Sequence, residues 1–218
     1  MPHHGTTRIW GDDVTDAVIT ANPGEEIEAQ DADRAIDEKA YGFWIYLATD
    51  AIIFALLFAV FVAMSHDAAD EGSGHTLFWL PSAFAETMLL PASSATFAFA
   101  SVAIAAGRRR RTLVWLGMTF LLGLGFLAVK IAELHGMAVA GAGPWRSGFL
   151  SAFFTLVGTH GAHVSIGLIW IVLLGCEVAL RGLNPFVISR LQRLGLFWHF
   201  LAIVWIGIFS VVYLPAVL

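Results

Sequence analysis

Five stretches of this chain are apolar almost without interruption. Each is long enough to cross a bilayer, which takes about 20 residues in a helix. They run over Phe43–Met64, Ala83–Ala106, Leu113–Gly136, Phe149–Leu180 and Leu194–Leu218. The pattern predicts an all-α integral membrane protein, a bundle of five transmembrane helices. The fourth stretch is too long for one perpendicular crossing, so it must tilt or project beyond the hydrocarbon. Pro91 lies inside the second stretch, where it frees the carbonyl of Thr87 and is expected to kink the helix. No internal repeat is visible, so an inverted-repeat transporter has no support in the pattern.

The first 40 residues break this pattern. They carry ten acidic and three basic residues with almost no apolar periodicity. A charged start followed by an apolar core is missing, so no cleaved signal peptide is expected. Residues 1–40 read as a solvated, largely disordered acidic tail, and residues 41–218 as the membrane domain. His3 and His4 stand without a third ligand near them in sequence and read as a neutral tail pair.

Loop charges orient the spans, because cytoplasmic loops are enriched in Lys and Arg. Arg108, Arg109, Arg110 and Arg111 fill the turn between spans 2 and 3. Arg181, Arg190 and Arg193 flank the turn between spans 4 and 5. The loop 65–82 has no Lys or Arg, and the loop 137–148 has only Arg146. The expected topology places the N-terminus in the cytoplasm and the C-terminus in the periplasm.

Composition narrows the chemistry. The chain is 58% hydrophobic and 13% charged, more apolar surface than a soluble domain can hide. Its net charge of −5 comes largely from the tail, and no basic aromatic surface is available for nucleic acid. Cys176 is the single cysteine, which excludes a disulfide framework, a C-x-x-C-H haem attachment and a cysteine pair for dinuclear copper or iron–sulfur. Cys176 itself reads as a small apolar core residue. No phosphate-binding glycine loop and no nucleophilic triad is visible.

What remains is a set of polar residues at membrane depth, where each ionisable group costs roughly 2.5 kcal/mol or more and marks function by default. Asp50 lies near the middle of span 1, with Tyr46 one turn before and Phe54 one turn after. It is either a structural hydrogen-bonding group or a proton-exchanging one. Glu86 opens span 2, where it is expected to act as a favourable N-terminal charge. Lys130 precedes Glu133 by three residues, a spacing that permits an ion pair. Glu177 and Arg181 form an i,i+4 pair. In span 4, Gly148, Ser151, Thr155, Thr159 and His163 line one helix face on which small and hydroxylated residues favour close helix contact. His160 lies one turn before His163. The two are either neutral imidazoles bonded between helices or haem or metal ligands. As i,i+3 neighbours they cannot sandwich one iron, so ligation would need His199 of span 5 in opposition.

Several collinear segments carry a resemblance. They are Tyr41-Gly42-Phe43-Trp44-Ile45-Tyr46-Leu47 with Asp50, then Arg146-Ser147-Gly148-Phe149-Leu150-Ser151-Ala152-Phe153-Phe154, then Gly158-Thr159-His160-Gly161-Ala162-His163-Val164. Leu196-Phe197-Trp198-His199-Phe200-Leu201 follows, with Val204-Trp205 and Tyr213. From Tyr41 onward the chain resembles subunit III of haem-copper terminal oxidases. The form it is most similar to is the short five-helix one of bacterial quinol oxidases of the cytochrome bo type, without the two extra N-terminal helices of the seven-helix form.

The resemblance implies an accessory role in a proton-pumping oxidase that reduces oxygen to water in the aerobic respiratory chain, in the bacterial inner membrane. It implies no catalytic, cofactor-binding or metal-ligating residue on this chain. Haems and copper would reside on the complex, subunit I above all. Subunits I and II, a small subunit IV and membrane phospholipid would be the partners. It places Asp50 where the family has a buried carboxylate, linked to proton uptake or a lipid cleft. It makes Glu86, Glu133, His160, His163, Trp198 and His199 structural polar positions. One departure is Ala202, where the family often has Asp, so a polar contact there is expected to be absent or replaced. The alternatives are a five-helix subunit III of a cytochrome c oxidase, a haem-binding membrane anchor using His160 or His163 opposite His199, and a proton-coupled transporter using Asp50 and Glu133.

Overall fold

The computed structural model describes residues 23–69 and 80–214, and every regular element among them is helical. Helix α1 runs Pro23–Ala69, α2 Leu80–Ala105, α3 Arg109–Val139, α4 Gly148–Arg181 and α5 Pro185–Ile208. A single π-helical turn, Phe209–Tyr213, continues α5. Five segments are long and apolar enough to span a membrane: Ala40–Ser65, Phe84–Ala105, Arg109–Val139, Gly148–Arg181 and Pro185–Tyr213. These match the five apolar stretches. Helix α4 has 34 residues, about 51 Å at 1.5 Å per residue, so it does exceed the hydrocarbon thickness.

The element ends follow from local chemistry. Ser147 caps α4 by accepting a hydrogen bond from the Leu150 amide at 3.2 Å. Gly182 ends it at φ +75°, a conformation that L side chains rarely adopt. Asn184 then accepts from the Val187 amide at 2.9 Å, with Pro185 at the first helical position. Helix α5 therefore begins nine residues before the apolar stretch Leu194–Leu218. Its first turns, with Ser189, Arg190, Gln192 and Arg193, project past the apolar run. Pro91 lies inside α2 without ending it.

The chain divides into two compact units, Met1–Trp44 and Ile45–Leu218. In the first, residues 23–44 are helical. Helical order thus reaches back into the acidic segment expected to be unstructured. From Glu25 to Ala40 there is no glycine or proline, and Ala, Glu, Gln and Lys are strong helix formers. His3 and His4 lie outside the described residues.

In the second unit, helices α2, α3, α4 and α5 pack closely in a ring, with the contacts α2–α3, α3–α4, α4–α5 and α5–α2. Its centre is made by aromatic rings seated against glycines. The Trp198 indole fills a slot where Gly123 of α3 and Gly167 of α4 face it. A Cβ on Gly123 would stand 2.8 Å from the Trp198 ring, and one on Gly167 2.9 Å. Phe97 meets Gly195 in the same way, at 2.7 Å from an added Cβ. Trp198 and Phe97 are completely buried. From Ile45 onward, α1 meets α4 and α5 through long aromatic side chains. Phe61 faces Phe149 with ring centroids 5.3 Å apart, Phe54 faces Phe200 at 6.3 Å, and Phe58 reaches the Gly207 position.

The glycine slot makes a prediction. Gly167→Ala drives a methyl into a rigid indole and should cost about 1–3 kcal/mol by overpacking. Gly175→Ala, on the same helix with nothing within 4 Å of the added carbon, should be neutral. The thermal midpoint of the detergent-solubilised protein checks this. Equal midpoints for the two variants would remove the slot as the reason for Gly167.

Candidate functional site

The buried stripe of α3 contains Thr112, Leu116, Thr119, Gly123, Phe126 and Lys130, spaced by three or four residues. Lys130 continues the core face after Phe126, which is why a lysine ends up 1% exposed. Its ammonium is held by three oxygens. Glu86 Oε2 of α2 is 2.6 Å away, and Lys130 donates to Glu133 Oε2 at 2.5 Å and to Tyr213 Oη at 2.8 Å. The Trp205 and Tyr213 rings lie 4.8 and 5.0 Å from the nitrogen, within cation–π range. Trp205 Nε1 donates to Thr87 Oγ1 at 3.2 Å, tying α5 to α2 beside the charge cluster. The π turn adds a residue to the helical repeat where Tyr213 must face inward.

This corrects the expectation for Glu86. It is not in the first turn of α2, where no acidic residue stands, and it is wholly buried. It sits against a lysine of the neighbouring helix, its Oε2 2.6 Å from Lys130 Nζ. The i,i+3 pair of Lys130 and Glu133 forms as expected. The three-helix cluster around it was not legible, because nothing in the spacing relates position 86 to 130 or 130 to 213.

A second cluster joins α1 to α4. Asp50 is 5% exposed, and its Oδ2 lies 3.7 Å from His163 Nε2 without any hydrogen bond. Tyr46, one turn earlier, interacts with the same carboxyl group. His163 Nδ1 is 2.8 Å from the Thr159 carbonyl. A carbonyl only accepts, so Nδ1 carries hydrogen, and Nε2 is left facing Asp50 to accept or donate a proton. The Phe54 ring lies 5.2 Å from His163 and 6.2 Å from His160.

His160 points elsewhere. Its Nε2 donates to the Leu201 carbonyl of α5 at 3.1 Å, and its ring packs against Phe126 at 5.8 Å and Trp205 at 5.5 Å. His199 Nδ1 is 2.5 Å from Ser94 Oγ of α2, and the neighbouring Trp198 Nε1 donates to Ser93 Oγ at 3.1 Å. His160, His163 and His199 thus serve three different contacts: α4–α5, α4–α1 and α5–α2. His199 does not oppose His160 or His163 across a common centre. Among the described residues no group of three or more His, Cys, Asp or Glu is gathered as a metal site.

Two further expectations need correction. Cys176 is exposed on the outer side of α4, not in the core. A small sulfhydryl is compatible with either environment, and only packing decides between them. On the small-residue face of α4, Thr159 and His163 are half-buried, but Gly148, Ser151 and Thr155 are exposed. Thr155 Oγ1 instead donates to its own helix, at the Ser151 carbonyl. The buried face of α4 is the adjacent one, with Phe153, Val157, His160, Val164 and Gly167. Ala202 is buried as well, and the nearby polar contact on α5 is the Leu201 carbonyl held by His160.

The α4–α5 turn is held by charge. Arg190 Nη1 donates to both oxygens of Glu177 at 2.9 and 3.0 Å, and Arg181 stands 3.8 Å from the same carboxylate. The Arg109 guanidinium donates to the Ala179 carbonyl, binding the α2–α3 turn to the end of α4.

The family model for cytochrome c oxidase subunit III matches residues 26–217. A cytochrome bo(3) ubiquinol oxidase subunit 3 from Pseudomonas putida is 49% identical over 177 residues, 81% of this chain and 86% of the relative. Its counterpart in Pseudomonas aeruginosa is 45% identical over 191 residues, 86% of this chain and 91% of the relative. A cytochrome c oxidase subunit 3 from Bacillus sp. is 41% identical over 176 residues, 81% and 85% of the two chains. With five helices long and apolar enough to span a membrane and a family match over most of its length, the chain belongs to the cytochrome c oxidase subunit III family.

Proposed function

We propose that this chain is the accessory subunit III of a proton-pumping haem-copper quinol oxidase that reduces oxygen to water in the inner membrane. The observation that carries the reading is the match, at 45–49% identity over more than four-fifths of the chain, to relatives named as ubiquinol oxidase subunits. The second reading is a five-helix subunit III of a cytochrome c oxidase, favoured by relatives of that name at 41% identity. Electron-donor choice resides on other subunits, so the test is biochemical. In mild detergent the chain should co-purify with subunits I and II and a small subunit IV, and that complex should oxidise quinol. A complex that oxidises only reduced cytochrome c would replace the first reading with the second.

The chain's own contribution is structural. Haems and copper belong to subunit I, while this chain packs along one face of it. His160, His163 and His199 are engaged in separate helix contacts, which supports a role without a resident redox centre. Helix α1 meets α4 and α5 through phenylalanine rings, an arrangement suited to phospholipid held between α1 and the ring of four helices. Asp50 and His163 stand in that region. Because Nδ1 of His163 is committed to a carbonyl, the pair can hold one proton between Oδ2 and Nε2, in keeping with support of proton uptake.

The arginine-rich turns orient the subunit, with the N-terminal acidic segment in the cytoplasm and the C-terminus in the periplasm. A reporter placed within Arg108–Arg111 should read as cytoplasmic and one fused after Leu218 as periplasmic. A cytoplasmic reading at Leu218 would overturn this topology.

A further inference from the structure

We propose that the Glu86–Lys130–Glu133 cluster is a proton-binding site, holding one proton on Glu86 in addition to those of the Lys130 ammonium. The inference rests on the membrane-spanning reading of the chain and not on the identity of the electron donor.

Donors and acceptors can be counted. An ammonium has three N–H groups. Three oxygens surround Lys130 Nζ: it donates to Glu133 Oε2 at 2.5 Å and to Tyr213 Oη at 2.8 Å, and Glu86 Oε2 stands 2.6 Å away without a hydrogen bond. The one other donor is the Tyr213 hydroxyl, which points to Glu133 Oε2 at 3.5 Å. Both carboxyl oxygens of Glu86, and Glu133 Oε1, are buried and accept no hydrogen bond from any described residue. Two carboxyl groups on one nitrogen also stand within the roughly 4–6 Å at which like charges disfavour joint ionisation.

Charge can be counted too. Two carboxylates and one ammonium leave a net charge of −1. The titratable groups facing the cluster from the other packed helices are Tyr213, at the end of α5, and His160 of α4, whose Nε2 is committed to the Leu201 carbonyl. Neither supplies a second cation. An uncompensated charge at this depth is expensive, and one added proton removes it. That proton also supplies an O–H donor to a set of acceptors that lacks one.

The geometry assigns the proton to Glu86. Glu133 receives both the Lys130 ammonium and the Tyr213 hydroxyl, and its side chain retains 11% exposure. Glu86 receives the ammonium alone, and its side chain is 0% exposed. The charged form is thus better supported at Glu133, and the neutral form at Glu86.

The experiment uses the whole oxidase complex with Glu86→Gln and Glu133→Gln made separately. Glutamine mimics a protonated carboxyl group. Glu86→Gln should therefore assemble at wild-type yield and keep its thermal midpoint, while Glu133→Gln should lose several-fold in yield. The infrared spectrum should lose one protonated-carboxyl band in Glu86→Gln. If the band is lost in Glu133→Gln instead, the proton is on the other residue and the assignment fails. If neither variant loses a band and both assemble poorly, both carboxylates are ionised and the proposal is wrong. Failure of this test leaves the subunit III reading untouched, since that reading is judged by co-purification and quinol oxidation.

Discussion

Lys130→Met should destabilise the assembled subunit by about 3–5 kcal/mol, the usual effect of removing one partner of a buried ion pair. The methionine fills the same volume, so packing is conserved and the electrostatic loss stands alone. What is left behind is the Glu133 carboxylate beside the protonated Glu86, in the core of α2 and α3, with no cation within reach among the described residues, since Lys130 is the group both acids contact. Tyr213 would lose its donor as well, and with it the tie between the π turn and α3. The thermal midpoint of the purified complex and the yield of subunit III in it check the prediction. Adding Glu86→Gln and Glu133→Gln to Lys130→Met removes every charge and should recover most of the loss, because replacing a whole buried ionic set is far less costly than breaking it. An unchanged midpoint in Lys130→Met alone would mean that water or lipid reaches the cluster.

Deleting the chain should leave initial oxygen consumption of the remaining oxidase largely intact and then shorten its working life. In the proposed reading the metal centres and electron entry lie on other subunits, so the first turnovers need nothing from this chain. What disappears is a packed face beside subunit I, with the lipid held against it. Close contacts of this kind sustain helix association in membranes. Without them, local opening near the proton route or the metal centre becomes more frequent. Oxygen uptake followed over many turnovers, with and without the subunit, should show a normal start and a progressive decline. Complete inactivity from the first turnover, with haem and copper fully present, would place an essential catalytic group on this chain.

Much of the candidate site was legible one helix at a time. Lys130 with Glu133 and Glu177 with Arg181 are neighbours by helical spacing, and both pairs form. Asp50, His160, His163, Trp198 and His199 stood out because polar groups at membrane depth need partners. The partners themselves were hidden. Glu86 meets Lys130 across two helices, His199 meets Ser94 over 105 residues of sequence, and Lys130 meets Tyr213 over 83. Thr87, Ser93 and Ser94 gave little signal as hydroxyls in an apolar helix. Each becomes informative only when an indole or imidazole is found opposite it, as for Thr87 and Ser93 with Trp205 and Trp198.

The sequence by itself determined the five spans, because crossing hydrocarbon requires unbroken apolar length whatever the neighbours are. The caps at Ser147 and Asn184 and the turn at Gly182 emerge from the structure, although each depends only on residues within a few positions of one another. Tertiary structure alone decided which face of each helix is inward. In lipid the outward face is as apolar as the core, so composition does not separate Ile166, which is exposed, from Val164, which is buried. The same reason explains why Cys176 and the Ser151–Thr155 face lie outward and Glu86 lies in the core, against the expectation from sequence. The amphipathic stripe that guides such assignments in water is missing here. Only the packing of one helix against another, glycine under indole and lysine between two acids, fixes the rotation of each.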